Sequence, residues 1–406
     1  MVFYLIGIRG SALSSLCRLL LKDGHTVKGV DVDESFYTDK GIDNIETFDN
    51  MNLKRSYYYI IGNAYVNHNV TKYIIKMGYY YKYYPSFLVD YYSDKKWICV
   101  SGSHGKTTTT KLIAHILGNN CALIGDGSYY YGSGDYFILE ACEYKNTFLN
   151  YRPDILLVLN IDYDHPDFFK TEEDYRNSFE KMINQSKITV VNGNDYNKEN
   201  DNIIRFGENN CDVNFKYEDG KVYILNKPFY LPYNGIHFAY DFVGAYLVCK
   251  LLNIKDIAIQ NKLNSFKLPK RRMETMITDN QIIISDYAHH PTEIRCVYNS
   301  MKEKYGDKRI IVIFEPHTIS RLEAYLDKFK EVLSLFNECY LYSLFSSIRE
   351  YSLLSKEEEL YNYLGFKRVD EDVLEYIFKK DNIVVCFLGA GKIDKLYEKY
   401  KFKILK

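Results

Sequence analysis

The chain has 406 residues, 47% of them apolar and 26% charged, and a formal net charge of −1. This balance argues against a dedicated nucleic-acid binder, which needs a basic face. No stretch approaches the roughly 18 apolar residues of a membrane span, so no membrane insertion is expected. Nine cysteines without a CxxC pair favour a reduced, cytoplasmic protein over a disulfide-stapled one.

Short apolar runs alternate with amphipathic segments, which is typical of α/β architecture with parallel sheets. Three consecutive regions show this pattern, and we predict three domains over residues 1–94, 95–269 and 270–406. Start and stop signals predict helices at Ser11–Lys22 and Thr108–Leu117. The predicted strands are Val2–Ile6, Thr26–Val30, Lys96–Val100, Tyr136–Leu139, Ile155–Leu159, Gln281–Ser285, Arg309–Phe314, Glu338–Tyr342 and Ile383–Leu388.

The first strand leads into a glycine-containing turn, Gly7-Ile-Arg-Gly10-Ser-Ala12. This turn departs from the dinucleotide pattern GxGxxG, because Arg9 and Ala12 stand where glycines belong. Arg9 could add positive charge to a phosphate-binding loop. Asp31 follows the second strand, where an acidic residue could bind a ribose hydroxyl.

The strongest signal is Ser101-Gly-Ser-His-Gly-Lys-Thr107, a shortened G-x-x-G-K-T loop between a predicted strand and a predicted helix. In this layout the amides of the loop and the helix N-terminus face a polyphosphate. Lys106 would reach the β- and γ-phosphates of ATP, and Thr107 would hold Mg²⁺. The residues assigned to this nucleotide site are Gly102, His104, Gly105, Lys106, Thr107 and Thr108.

Acidic residues follow the next two predicted strands, in Glu140-Ala-Cys-Glu143 and Asn160-Ile-Asp-Tyr-Asp-His165. Both lie at carboxyl ends of predicted parallel strands, where open α/β sheets bind ligands. A Mg²⁺ ion beside the phosphate loop needs carboxylate ligands. Glu140 and one of Asp162, Asp164 or His165 could supply them.

The segments 101–110, 140–149 and 160–165 resemble the Mur ligase family in order and spacing. Further motifs are similar to the branch of that family that adds L-alanine to UDP-N-acetylmuramate. These motifs are Arg271-Arg-Met-Glu274, Asp286-Tyr-Ala-His-His-Pro-Thr-Glu293, Phe314-Glu-Pro-His-Thr-Ile-Ser-Arg321 and Phe387-Leu-Gly-Ala-Gly391. The resemblance covers nearly the whole chain.

The resemblance implies an N-terminal Rossmann-like domain for a UDP-sugar, a central P-loop ATPase and a C-terminal Rossmann-like domain that brings the amino acid. It also implies ATP and Mg²⁺ as cofactors, and ligation of L-alanine to UDP-N-acetylmuramate through an acyl phosphate in cytoplasmic peptidoglycan synthesis. Phosphorylation would make the substrate carboxylate electrophilic and give it a good leaving group.

Site residues carried over by position fall into four groups. The implied catalytic residues are Lys106, Arg272, His289 and His290. The implied metal ligands are Thr107, Glu140 and His165. The adenine-contacting stretch adds His237 and Asp241, although Phe238 and Asp241 stand where the family has asparagines. The implied substrate-binding residues are Gly7, Arg9, Gly10, Ser11, Asp31, Glu143, Tyr287, His317 and Arg321.

Three alternatives remain open. A related ligase that adds another amino acid or a recycled peptide would share the ATP machinery. A nicotinamide-dependent dehydrogenase would use the first βαβ unit, but the broken glycine pattern and the Lys106-Thr107 loop argue against it. A nucleotide-binding relative without catalysis is a third possibility. The presence of Lys106, Glu140, His165 and His289 argues against it, whereas Phe238 in place of the family's asparagine keeps it open.

Overall fold

A computed structural model describes residues 1–32, 37–39, 41–345 and 355–404. The α/β class predicted from the sequence is confirmed. No helix in these described ranges combines the length and apolarity needed to cross a membrane. Two compact units divide the chain: the first is Met1–Asp162, Tyr175–Tyr230 and Tyr240–Phe266, and the second is Tyr163–Asp174, Leu231–Ala239 and Lys267–Lys406.

The described residues before position 84 form a five-stranded parallel sheet with strand order β3-β2-β1-β4-β5. Four of the five residues of the first strand are buried, as its apolar run predicts. The strands are β1 Val2–Ile6, β2 Thr26–Val30, β3 Ile45–Glu46, β4 Tyr58–Ile61 and β5 Tyr81–Tyr83. The helices of this region are α1 Ser11–Lys22, α2 Asn69–Lys76 and α3 Tyr84–Tyr91.

The central region carries a ten-stranded sheet, counted over described residues 96–230, in the order β15-β14-β13-β12-β11-β10-β6-β9-β7-β8. Only the pairs β7–β8, β13–β14 and β14–β15 within it are antiparallel. The strands are β6 Lys96–Ser101, β7 Cys121–Leu123, β8 Tyr129–Tyr130, β9 Tyr136–Glu140, β10 Ile155–Val158, β11 Ile188–Asn192, β12 Ile203–Gly207, β13 Val213–Glu218, β14 Lys221–Ile224 and β15 Lys227–Tyr230. The helices are α4 Lys106–Leu117, α5 Glu172–Asn184, α6 Ile236–Leu251 and α7 Asp256–Asn264.

The described C-terminal residues form a six-stranded sheet, β16-β17-β21-β18-β19-β20, in which only β16 is antiparallel to its neighbour. Consecutive residues Ile283 and Ile284 belong to separate buried clusters on opposite faces of this sheet, as the two-residue period of a strand requires. The strands are β16 Glu274–Ile277, β17 Gln281–Asp286, β18 Arg309–Phe314, β19 Glu338–Leu341, β20 Lys367–Arg368 and β21 Ile383–Leu388. The helices are α8 Pro291–Tyr305, α9 Ile319–Ala324, α10 Leu326–Leu333, α11 Glu357–Leu364, α12 Glu371–Phe378 and α13 Ile393–Ile404.

Candidate functional site

The phosphate loop lies between β6 and α4 and depends on two glycines with positive φ, Gly102 (+137°) and Gly105 (+81°). A Cβ atom on Gly102 would press against the backbone of Asn160 at 3.1 Å. A Cβ on Gly105 would lie 2.2 Å from a carboxylate oxygen of Asp241. Larger residues are therefore excluded from both positions. Asn160 also orders the loop, because its side-chain oxygen accepts the backbone N–H of His104 at 2.8 Å.

Helix α4 begins at Lys106, two residues before the predicted start, and ends at Leu117 as predicted, followed by Gly118 with a positive φ. Thr107 and Thr108 therefore belong to its first turn, where backbone N–H groups have no helical acceptor. An anion at this end is stabilised by those groups and by the helix dipole. The structure thus gives the predicted phosphate loop the local conformation that phosphate binding requires.

Lys106 is held inside this loop rather than extended from it. Its Nζ donates to the carbonyl oxygens of Gly102 and Ser103 and lies 3.0 and 3.1 Å from the two carboxylate oxygens of Glu143. Burial alone would lower the pKa of Lys106, but neighbouring negative charges, that of Glu143 foremost, together outweigh it and raise that pKa. Lys106 is therefore a cation, and Glu143, expected to bind substrate, is its ion-pair partner.

Glu140 ends β9 beside the first turn of α4. One carboxylate oxygen accepts the N–H of Gly125 at 2.7 Å, and the carboxylate also hydrogen-bonds the side chain of Thr107. Burial raises the pKa of Glu140, and the charge of Lys106 only partly offsets that effect. A buried carboxylate whose negative charge is only partly compensated, and which lies beside a hydroxyl, is chemically suited to a hard divalent cation.

The N-terminal glycine turn is built on contacts with Tyr65. Gly7 has a φ of +91°, and a Cβ there would lie 2.5 Å from the Tyr65 ring, so only glycine fits. Gly10 precedes α1, which begins at Ser11 and has no side-chain cap at its N-terminus. The free amides of this first turn are suited to an anion such as a diphosphate.

Asp31 and Arg9 have partners within this turn. Asp31 accepts the backbone N–H groups of Arg9 and Val32, both at 2.8 Å, and the hydroxyl of Tyr65. The Arg9 guanidinium lies 3.0 Å from Asp39. The observed role of both residues is to fix the turn, and their contact with a substrate stays a prediction.

In the second unit, Arg321 and Asp164 form a buried ion pair. The Nε and Nη2 atoms of Arg321 donate to the two oxygens of Asp164 at 3.0 and 3.1 Å. Burial alone would raise the pKa of Asp164, but nearby positive charges, that of Arg321 foremost, together outweigh it and hold that pKa well below its usual value. The backbone N–H of His165 also donates to Asp164, at 2.7 Å, and His165 has a φ of +57°. The sequence predicted Asp164 only as a candidate metal ligand, and its pairing with Arg321 was not predicted.

Histidines line the second unit around this pair. His289 lies 5.2 Å from His317 between ring centroids, and His317 Nδ1 lies 3.1 Å from Nη1 of Arg321. His289 Nδ1 is 2.9 Å from the carbonyl oxygen of Tyr287. A carbonyl can only accept, so Nδ1 carries the proton and Nε2 is left as an acceptor. His290 instead caps α8, with Nδ1 accepting the N–H of Thr292 at 3.4 Å.

The two adjacent arginines have different surroundings, although both guanidinium groups lie over the Tyr287 ring, at 5.0 and 5.2 Å. Arg271 is buried and donates to the carbonyl oxygen of Gly389. Arg272 is more exposed, and its Nη1 atom lies 3.9 Å from a carboxylate oxygen of Glu293. The contact of Arg272 with a phosphate, which the resemblance implies, stays a prediction.

Another buried carboxylate, Glu315, belongs to the motif at residues 314–321, and the sequence predicted no role for it. Its oxygens accept the backbone N–H groups of Gly391, Lys392 and Ile393 at 2.8 to 3.1 Å. Its burial beneath the N-terminus of α13 indicates a structural function. The signal for it was an acidic residue directly after the apolar strand β18.

Histidines 237 and 289 should remain neutral across the physiological range. Burial lowers the pKa of each to about 4. Arg272 adds to this lowering at His237, and Glu293 partly opposes it at both histidines. Because the pKa of each histidine in the folded chain lies below the ordinary 6.5, protonation favours the unfolded chain. The stability contributed by the two neutral histidines is therefore complete above about pH 6.5 and is lost as the pH falls towards 4. Proton NMR titration should show both Cε1–H signals unshifted down to about pH 5. As a control, the variants His237→Gln and His289→Gln each remove one of the two signals and so assign them. A titration midpoint near pH 6.5 for either signal would contradict the prediction.

Three family models match successive parts of the chain. Residues 2–89 match the model for the Mur ligase family, catalytic domain. Residues 129–249 match the Mur ligase middle domain, and residues 271–365 match the Mur ligase, glutamate ligase domain. The matches follow the order of the three sheets.

Solved structures resemble the chain over its full length. A UDP-N-acetylmuramate–alanine ligase from Thermotoga maritima is 21% identical, with 100% of both chains covered and a TM-score of 0.83. A murein peptide ligase from Psychrobacter arcticus is 20% identical, covering 100% of this chain and 98% of its own, with a TM-score of 0.72. A pseudomurein peptide ligase type C from Methanothermus fervidus is 17% identical, with 99% of both chains covered and a TM-score of 0.68. At these identities the likeness establishes the fold.

Proposed function

Because the chain belongs to the Mur ligase family of ATP-dependent amide ligases of peptidoglycan synthesis, we propose that it joins L-alanine to UDP-N-acetylmuramate. The observation that carries the proposal is the phosphate loop with Lys106 folded into it. The motifs between residues 271 and 321 support the choice of alanine. The Thermotoga alanine ligase also has the highest TM-score of the three structures described above. We assign residues 1–94 to the UDP-sugar, 95–269 to ATP and 270–406 to the amino acid.

In the first step, an oxygen of the substrate carboxylate attacks the γ-phosphorus of ATP. The bond to the bridging oxygen breaks, ADP leaves with that electron pair, and an acyl phosphate remains. Catalysis of such a transfer consists mostly of positioning and of neutralising charge. Lys106 is a buried cation at the loop, so it can exchange its contact with Glu143 for one with the transferred phosphoryl group.

Thr107 and Glu140 fit a magnesium ion, and the resemblance adds His165 as a ligand. Thr107 offers a hydroxyl, and Glu140 offers a carboxylate whose negative charge is only partly compensated. When bound, the ion would neutralise charge on the β- and γ-phosphates. The free amides of the first turn of α4 would share that task.

In the second step, the amino group of alanine attacks the acyl carbon, and phosphate leaves as the amide forms. The attacking nitrogen must lose its proton. His289 Nε2 is the available acceptor, because Nδ1 is bound to the Tyr287 carbonyl. In this proposal the Arg272 guanidinium stabilises the departing phosphate. His317, Tyr287 and Arg321 complete the amino-acid side in this proposal.

A ligase that adds a pre-made peptide is the second candidate. It is favoured by one observation, that two of the three similar structures described above are peptide ligases. The phosphate chemistry would be the same, and only the size of the incoming nucleophile would differ.

Phosphate release from Mg·ATP distinguishes these reactions. With UDP-N-acetylmuramate present, we expect release that depends on L-alanine and is much weaker with glycine, L-serine or a tripeptide. Release with the tripeptide alone would replace the alanine assignment by the peptide ligase. The control omits the sugar nucleotide, and release without it would indicate a simple ATPase. No release with any nucleophile, although Mg·ATP binds, would overturn the proposed ligase activity.

A further inference from the structure

A turn of the central sheet region, residues 124–127, lies against the N-terminal region within the first unit. Ser15 of α1 donates its hydroxyl to the carbonyl oxygen of Ile124 at 3.1 Å, and Arg18 donates Nη1 to that of Gly127 at 3.0 Å. A Cβ on Gly127 would lie 2.9 Å from Thr38. The turn is therefore closely packed on α1 and on the segment that contains Thr38.

Arg18 also leads back to the N-terminal glycine turn. Its Nη2 donates to the carbonyl oxygen of Thr38, and the Thr38 hydroxyl donates to the carbonyl oxygen of Arg9. Arg9 is in turn fixed by Asp31 and Asp39. A continuous series of hydrogen bonds therefore runs from the glycine turn to Arg18.

On its other side, the 124–127 turn contacts the carboxylate of Glu140. The N–H of Gly125 donates to a Glu140 oxygen at 2.7 Å, and a Cβ on Gly125 would lie 2.3 Å from the carboxylate. Glu140 in turn contacts Thr107 of the phosphate loop. A shift of this turn therefore has to move the carboxylate assigned to magnesium.

We propose that Arg18 is a positioning residue that couples the N-terminal glycine turn, assigned to the sugar nucleotide, to the ATP and magnesium site. The proposal rests on the proposed function. A planar guanidinium presents its donors in a fixed fork, so the carbonyls of Thr38 and Gly127 cannot move independently while both are bound. A diphosphate at the glycine turn fixes Arg9 and Thr38, and Arg18 transmits that order to Gly127 and Glu140. Binding at either site then strengthens binding at the other by the same factor.

Calorimetric titration with Mg·AMP-PNP, with and without saturating UDP, measures the coupling without turnover. For the unmodified chain we expect UDP to tighten Mg·AMP-PNP binding at least about 5-fold. Arg18→Lys and Arg18→Met should each abolish this factor, while each ligand alone still binds within about 2-fold of its original affinity. The matched control is Arg152→Lys, because Arg152 also donates to two carbonyls of the same unit, those of Leu149 and Tyr151. It should keep the factor.

Two results would overturn the inference alone: independent binding of UDP and Mg·AMP-PNP to the unmodified chain, or coupling that survives in both Arg18 variants. Failure of either ligand to bind the unmodified chain would instead overturn the proposed function, and this inference with it. If Arg18→Met does not fold, Arg18→Lys decides, because it keeps the charge and loses the fork.

Discussion

Replacing Lys106 by methionine and Glu143 by glutamine together should lower phosphate release by about 10²–10³-fold, the usual effect of losing one electrostatic stabiliser of a transition state. The fold should survive, because the exchange removes both members of a buried ion pair. Steady-state phosphate release and a urea unfolding curve measure the two effects. Retained release in the double variant would remove Lys106 from the proposed mechanism.

The single variant Lys106→Met is informative for a different reason. It leaves the fully buried carboxylate of Glu143 without the cation that lies 3.0 Å away. An uncompensated buried charge costs about 3–5 kcal/mol, so this variant should be less stable than the double variant. A single variant that is stable and inactive would show that Glu143 finds another partner. A matched control is Lys216→Met, because Lys216 pairs with Glu218 at the exposed surface.

Several of the strands that the sequence predicted correctly are buried on both faces, although Thr26–Val30, which is only partly buried, was also predicted with its observed bounds. Residues Ile155–Val158 and Ile383–Leu388 are buried throughout, so each appears in the sequence as an unbroken apolar run. The hairpins β13–β14–β15 were missed, because their residues alternate between buried and exposed positions. A usable signal existed there. Asp219-Gly220 has positive φ at both residues, which is the preferred composition of a two-residue hairpin turn.

Of the candidate site, the sequence predicted the parts that are contiguous in the chain. The phosphate loop is one segment, so its glycines, lysine and helix start could be inferred from spacing. The ion-pair partners of the charged groups could not be inferred from spacing. Glu143 lies 37 positions from Lys106, and Asp164 lies 157 positions from Arg321. Such pairs depend on the topology of the sheets rather than on a local pattern.

Replacing Asp164 by asparagine should destabilise the second unit by about 3–5 kcal/mol, because Arg321 would be left buried with an uncompensated charge. Both side chains of the pair are only 6% exposed. The Tyr325 hydroxyl makes a second tie to the same segment, donating to the carbonyl oxygen of Tyr163 at 2.6 Å. Hydrogen exchange of residues 319–333, followed by mass spectrometry, reports this loss locally. A local readout is needed because a chain of several domains does not unfold in one step.

The pH dependence follows from the lowered pKa of Asp164. The contribution of the pair is fully present above the ordinary pKa of about 3.8–3.9, and it is lost as the pH falls through the lower folded value. The Asp164→Asn variant lacks this acid-sensitive contribution, so the difference in exchange between the variant and the unmodified chain should shrink under acid conditions.

The control is Glu331→Gln, which breaks the exposed pair with Arg295 and should cost less than about 1 kcal/mol of stability. An Asp164 variant that behaves like this control would mean that the buried pair does not hold the 163–174 segment, and that His165 is positioned by other contacts. Replacing the whole pair, in Asp164→Leu with Arg321→Met, should recover much of the lost stability, because no buried charge then remains unpaired.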